Sequence, residues 1–457
     1  MMRLVTLTSM LAISLAACGV EDPLLGVEEK APKPPKAIAN DTPFANPLGA
    51  AATFSTTGNV DTTGPFFQSL GTNGRSCGSC HQIGDGWSIT PPNIAARFAA
   101  TDGTDPLFST FDGANSPVAD VSTLAARRTA YSMLLTKGLI RVGIGIPAGA
   151  EFTLDAVDDP YGFASAAELS LFRRPLPTTN MKFLSTVMWD GRETLAGTDH
   201  CNHANEGGRC FSALNPTAFN HHANDATLGH AEGTVALTPA QEAGIVAFET
   251  ALVTAQVFDN NAKDLTEKHA RGGPDSLVGQ TVAYGVNDNL GDYTSGAPFT
   301  SVIFTEYSAW AGEKNAARAS IARGQQLFNT LPITISDVPG LTTASPFTPP
   351  LPTTIVGTCG TCHDTPGGGN HSIVAPLNIG LTDASRRTAD MPLYTLRNIS
   401  TGATIQTTDP GRALISGKWA DIGKFKGPIL RGLAARAPYF HNGLAANLDA
   451  VIDFYND

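Results

Sequence analysis

Charge is scarce in this chain. Asp, Glu, Lys and Arg make up 16% of its 457 residues, while Gly (46) and Pro (31) are plentiful. That balance excludes a coiled coil or a helical array and fits a globular protein with many ordered loops. Long apolar runs are missing too. The run near the N-terminus, from Leu4 to Ala17, is too short to span a bilayer, and a multispanning membrane protein is excluded. A net charge of −11 argues against a nucleic-acid partner held through phosphate contacts. Strand-like alternation is hard to find beside clear helical periodicity, so the sequence predicts a mainly α fold. Cysteine is sparse as well, with seven in all.

Four of those seven stand in two matching places. "RSCGSCHQIG" (75–84) holds Cys77, Cys80 and His81, and "GTCGTCHDTP" (357–366) holds Cys359, Cys362 and His363. At this composition roughly 0.002 CxxCH motifs are expected by chance. A single zinc site built from the four cysteines leaves both histidines unexplained. A thioredoxin-like CxxC needs a preceding strand, and no strand pattern precedes either motif. A c-type haem uses every residue: two thioethers fix the vinyl groups, and the adjacent histidine becomes the proximal iron ligand. Two covalently attached c-type haems are therefore expected.

The N-terminus reads as a signal peptide (1–17) ending in Leu15-Ala16-Ala17-Cys18, which resembles the bacterial lipobox. Cys18 is then the lipidated first residue of an exported protein, anchored in the periplasm or at the outer membrane by lipid alone. Residues 18–50 read as a flexible Pro-rich tether. In an oxidising compartment Cys201 and Cys210 close a small disulfide loop, beside His200 and His203, which read as solvated loop residues rather than metal ligands. Helices are expected at 238–258, with Thr238, Pro239 and Gln241 as its capping group, at 315–329, and at 447–457 with Asn447 as cap. An N-terminal cytochrome domain at 51–258, a connector at 259–300 and a C-terminal cytochrome domain at 301–457 follow.

With "MWDGRE" (188–193), "HHANDATLGHAE" (221–232) and "FKGPILRGLAARAPYFHNGLAANLDAVIDFYN" (425–456), the chain resembles the dihaem cytochrome c peroxidase/MauG family from about residue 60 onward. The resemblance implies two c-type domains, hydrogen peroxide activated at the N-terminal haem (Cys77, Cys80, His81), and electrons relayed through the C-terminal haem (Cys359, Cys362, His363). Trp189 falls at the position between the haems, and Arg192 contacts a propionate or a nearby carboxylate. In the distal pocket His222 takes the family's glutamine position and Glu232 its glutamate position, with His230 between. Glu232 is the first candidate for proton transfer and His230 the next. Ligation of iron by His222 or His230, or a supporting hydrogen-bond role for both, stays open.

His441 of "PYFHNG" sets the register for the second haem's distal ligand, and fourteen residues on stands Tyr455. No methionine follows Met391, so the ligand resembles MauG's tyrosine rather than the peroxidases' methionine. An anionic phenolate stabilises ferric and higher iron, whereas a thioether raises the potential. The backbone carbonyls of Arg436 and Pro438 correspond to family calcium ligands. Expected partners are peroxide and an electron donor, such as a small cytochrome or cupredoxin, or else an oxidisable protein or small molecule. An electron-transfer lipoprotein without chemistry of its own is the alternative from another class.

Overall fold

A computed structural model describes residues 35–184, 186–193, 204–205, 209–210, 216–280, 300–343, 350–370 and 376–456. The signal segment, Cys18, the histidines at 200 and 203, Cys201 and residues 281–299 of the expected connector lie outside the described residues. Of the expected disulfide only the backbone of Cys210 falls within them, in a short antiparallel pair of Ala204–Asn205 with Arg209–Cys210. Among the described residues no helix is long and apolar enough to cross a membrane.

The fold is not mainly α. Helix accounts for 29% and strand for 20%, with nine α-helices and several small sheets among the described residues. The largest sheet is antiparallel in the order Lys263–Asp264, Leu252–Asp259, Gly49–Ser55, Pro43–Asn46. The sequence predicted one helix through 258. In fact the helix Pro239–Ala251 stops where the β-branched stretch LVTAQVFD begins, and Leu252 turns extended at ψ 132. The expected tether is in strand from Ala37 onward, paired as Ala37–Ala39 with Asn59–Asp61 and as Pro43–Asn46 with Gly49–Ser55. Both boundaries expected around the first domain, at 50/51 and 258/259, therefore run through one sheet.

Where caps were legible the elements start as expected. Thr238 Oγ1 accepts from Gln241 N, and Gln241 reciprocates in a capping box. Asn315 opens the helix Ala316–Thr330, and Asn447 Oδ1 accepts from Ala450 N at the start of Leu448–Asn456.

The chain's two halves share a second sheet, in which Phe152–Asp158 pairs with Leu393–Asn398, followed by Thr404–Thr407. Beneath it Phe152, Leu169, Leu171, Tyr394, Leu396 and Leu414 form one buried cluster. The strand Leu169–Arg173, paired with Ile140–Ile144, is buried at every position and delivers Arg173 and Arg174 to the middle of the molecule.

Candidate active site

The first CxxCH is held by its flanking serines. Ser76 and Ser79 close a capping box around the short turn Cys77–Ser79, and His81 N bonds Cys77 O at 2.9 Å. That helical spacing sets Cys77, Cys80 and His81 side by side. His81 Nδ1 donates to Trp87 O at 2.9 Å, which leaves Nε2 as the nitrogen with a lone pair for a metal. Trp87 holds a left-handed backbone (φ 62), fixed by the Gln82–Ser88 bridge and by its Nε1 bond to Thr53 Oγ1 at 2.9 Å. Burial pushes the His81 imidazole down to about 4, offset in part by the Trp87 bond, so it is neutral at physiological pH. Burial also pushes the Cys77 thiol up to about 12.

This turn faces a cavity whose lining includes Cys77, Cys80, His81, Trp189, His222 and His230. His222 comes from the helix Pro216–Leu228, and His230 from the turn that follows it. Burial, with the neighbouring His81 and His230, holds His222 down to about 3. His230 is oriented: its Nδ1 lies 2.7 Å from Asp112 Oδ2. Arg75, the residue two before Cys77, pairs with the same buried Asp112 and also donates to His230 O at 3.1 Å. Burial opposes a charge on Asp112, but the His230 bond and the Arg75 cation outweigh it and hold the carboxyl below the usual range. A carboxylate–imidazole pair at the wall of a cavity is equipped to take up and return a proton. Glu232 does not line the cavity; its Oε2 accepts from Asn73 Nδ2 at 2.9 Å, and its backbone is left-handed (φ 51). The structure thus brings two of the three distal candidates, His222 and His230, to face the first motif.

Trp189 sits in the cavity wall, with its Nε1 donating to Arg174 O at 2.7 Å. Its ring meets His441 edge-on at 6.0 Å, and His441 stacks on Phe425 at 4.1 Å. Neither ring nitrogen of the buried His441 has a hydrogen-bond partner, and burial lowers it to about 4. Lys426 reaches over the indole at 6.0 Å, and its backbone N bonds Trp189 O at 2.9 Å. Arg192 bonds the Asp190 carboxylate through Nε and Nη2 at 3.0 and 2.7 Å, the nearby-carboxylate alternative of the sequence reading.

Sequence reasoning missed Arg75 and Asp112, whose meeting is a long-range event, and it missed Glu249. That residue ends the helix Pro239–Ala251, lines the cavity, and carries a buried Oε2 without a partner. Burial alone raises it from 4.5 to about 8. Between those values the unfolded chain gives up the proton and the folded chain keeps it, so wild-type stability falls as pH rises across that window. Glu249→Gln abolishes this slope. Urea unfolding at pH 5 and pH 8 should show the variant gaining on wild type by on the order of a few kcal/mol, and parallel pH dependences would refute the assignment.

The second motif repeats the first. Thr358 and Thr361 form the capping box around Cys359–Thr361, and His363 Nδ1 donates to Gly369 O at 2.9 Å. Here, contrary to expectation, a strand does precede the motif, Thr354–Gly357 paired with Ile333–Ser336. The turn it leads into is three residues long and carries the histidine in the same arrangement as the first. Tyr455, on the last helix, faces His363 edge-on at 6.3 Å between ring centroids. Elements flanking the motif leave apolar surface uncovered: Leu327, Leu331, Val356, Ile452 and Tyr455 are all exposed.

Paired half-buried cysteines, a histidine with its second nitrogen already tied to a backbone carbonyl, and a cavity or uncovered apolar surface alongside fit a covalently held haem at each motif. Of the two carbonyls expected to bind calcium, that of Arg436 already accepts from Arg174 Nη2 at 3.1 Å, which sets a guanidinium cation beside it.

Comparison with known proteins agrees with this class. The chain is 37% identical over 107 residues to cytochrome-c peroxidase IdrP2 of Denitromonas iodatirespirans, covering 22% of this chain and 28% of that protein. To IdrP2 of Pseudomonas sp. (strain SCT) it is 32% identical over 101 residues, 21% of this chain and 27% of the relative. To cytochrome-c peroxidase IdrP1 of Denitromonas iodatirespirans it is 56% identical over 36 residues, 8% of this chain and 10% of the relative. The matched segments thus span less than a third of each of these relatives. No family model and no solved structure matches the chain. Each of these similar proteins is named a cytochrome-c peroxidase.

Proposed function

We propose that the chain is an exported dihaem c-type cytochrome, anchored through Cys18, that reduces hydrogen peroxide at the site built by Cys77, Cys80 and His81. Electrons arrive through the site built by Cys359, Cys362 and His363. The observation that carries this reading is that one cavity joins the first CxxCH to a histidine oriented by a buried carboxylate, His230 with Asp112. A haem held there supplies the redox centre that breaks the O–O bond. The chain's own part is to hold the proximal imidazole neutral, to exclude water, and to move a proton at His230 Nε2 from one peroxide oxygen to the other. Asp112 fixes the tautomer, since its contact with Nδ1 puts the proton there and leaves Nε2 as the base. Trp189 lies in the wall toward His441 and relays oxidising equivalents between the halves.

His230→Ala, with Asp112 left in place, should lower peroxide turnover with a reduced small cytochrome by about a hundredfold or more, the range of general acid–base catalysis. Unchanged turnover would remove His230 from proton transfer.

A MauG-like reading, peroxide-dependent oxidation of a protein or small molecule, is favoured by one observation: Tyr455 faces His363 where the peroxidases place methionine. Tyr455→Phe should then shift the Soret and near-infrared bands of the second haem and raise its potential. Identical spectra would confine Tyr455 to packing.

A further inference from the structure

The family resemblance assigns the carbonyls of Arg436 and Pro438 to a calcium ion between the two haem regions. The structure puts a side chain there instead. Arg174 is buried, and its guanidinium donates to three backbone carbonyls from two separate parts of the chain: Lys137 O at 3.1 Å, Gly138 O at 3.2 Å and Arg436 O at 3.1 Å. A bound calcium needs six to eight oxygens at about 2.3–2.6 Å, drawn from carboxylates, carbonyls and water. A guanidinium nitrogen already stands against the Arg436 carbonyl, and its positive charge opposes a divalent cation on the same oxygen.

The surroundings are shaped for the guanidinium. Gly138 has φ +61, and a Cβ built on it would stand 1.9 Å from Arg174 Nη1, so glycine is required for the approach. The neighbouring Arg436 uses its own guanidinium in the same way, donating to Ile429 O at 3.0 Å and to Arg431 O at 2.7 Å. Two adjacent fixed cations repel a divalent ion. Burial and that mutual repulsion lower Arg174 only to about 10, so it stays charged at neutral pH.

The backbone of Arg174 completes the arrangement. Its N–H donates to His441 O at 2.6 Å, and its carbonyl accepts the Trp189 indole at 2.7 Å. One residue therefore ties the relay tryptophan, the PYFHNG segment and the Lys137–Gly138 turn together. We propose that Arg174 is the built-in cation of this interface, occupying the place the resemblance gives to calcium and making the Trp189 geometry independent of that ion. Arg174 acts here as a positioning residue.

The test uses the haem-loaded protein and reads binding and melting rather than turnover, so it stands apart from the peroxidase assignment. Wild type stripped with a chelator should give no heat on calcium titration and should melt at the same temperature in chelator and in excess calcium chloride. Arg174→Ala should melt lower, and calcium should recover part of the loss, because the three carbonyls are freed. Wild type that binds one calcium and melts earlier in chelator would overturn the proposal. Should the alanine variant not fold, the wild-type pair of measurements decides alone.

Discussion

Replacing Cys77 and Cys80 together by alanine is expected to leave one covalently bound haem per chain instead of two, and peroxide turnover at the uncatalysed background. Both thioether positions of the first motif are lost, while the second motif keeps its own turn and its own histidine hydrogen bond to Gly369. Losing the group that fills the cavity at the first motif would also cost stability, since its apolar wall loses the atoms packed against it. The pyridine haemochrome spectrum against protein concentration gives the count directly. The reciprocal change, Cys359→Ala with Cys362→Ala, should also leave one haem, but one still able to react once with peroxide. A Cys77/Cys80 variant that retains two haems, or that keeps turnover, would show that the first motif is not the peroxide site.

The second large effect concerns the buried ion cluster that holds the Trp189 loop. Arg173 bonds Asp190 at 2.6 Å and Asp409 at 2.7 and 2.9 Å, and all three side chains are within a few per cent of complete burial. Asp190 is the residue after Trp189, while Asp409 follows the strand Thr404–Thr407, so the cluster ties the Trp189 segment to that part of the chain. Burial opposes the Asp190 charge, but Arg192 and Arg173 outweigh it and hold the carboxyl far below 3.8. Its stabilising contribution is therefore complete above the unfolded value and is lost as pH falls below it.

Arg173→Leu leaves the buried Asp409 carboxylate without its guanidinium and Asp190 with Arg192 alone, and a loss of about 3–5 kcal/mol is expected in urea unfolding. Arg397→Ala, which breaks the exposed, solvent-screened pair with Asp155, should leave the unfolding midpoint close to wild type. Equal losses from the two variants would mean that the cluster does not hold the interface.

The parts of this site that were legible in the sequence are those whose chemistry is local. A CxxCH motif is one helical turn, so spacing alone sets the cysteines beside the histidine, and capping residues such as Thr238 and Asn447 act within three positions. What stayed hidden depends on distant partners. Asp112 reaches His230 across more than a hundred residues, and Phe152–Asp158 finds its partner strand in the other half of the chain. The strand at Leu252–Asp259 looked helical because its first four residues are all buried, which erases the alternation a half-exposed strand would show. That burial, repeated in Leu169–Arg173, is also why a mainly α reading failed. Glu232 occupied a family position in the sequence, yet its carboxylate is turned to Asn73, a contact no local pattern announces.

Peroxide is expected to react in the cavity between His81 and the pair His222 and His230. Electron paramagnetic resonance of the purified ferric protein, before and after one equivalent of peroxide, tests it most directly. The account predicts a high-spin ferric signal, in the starting protein or after partial reduction, that disappears on peroxide addition and is absent from the Cys77/Cys80 variant. Low-spin signals alone, unchanged by peroxide even after partial reduction, would contradict it and leave two closed haems in a protein that only carries electrons.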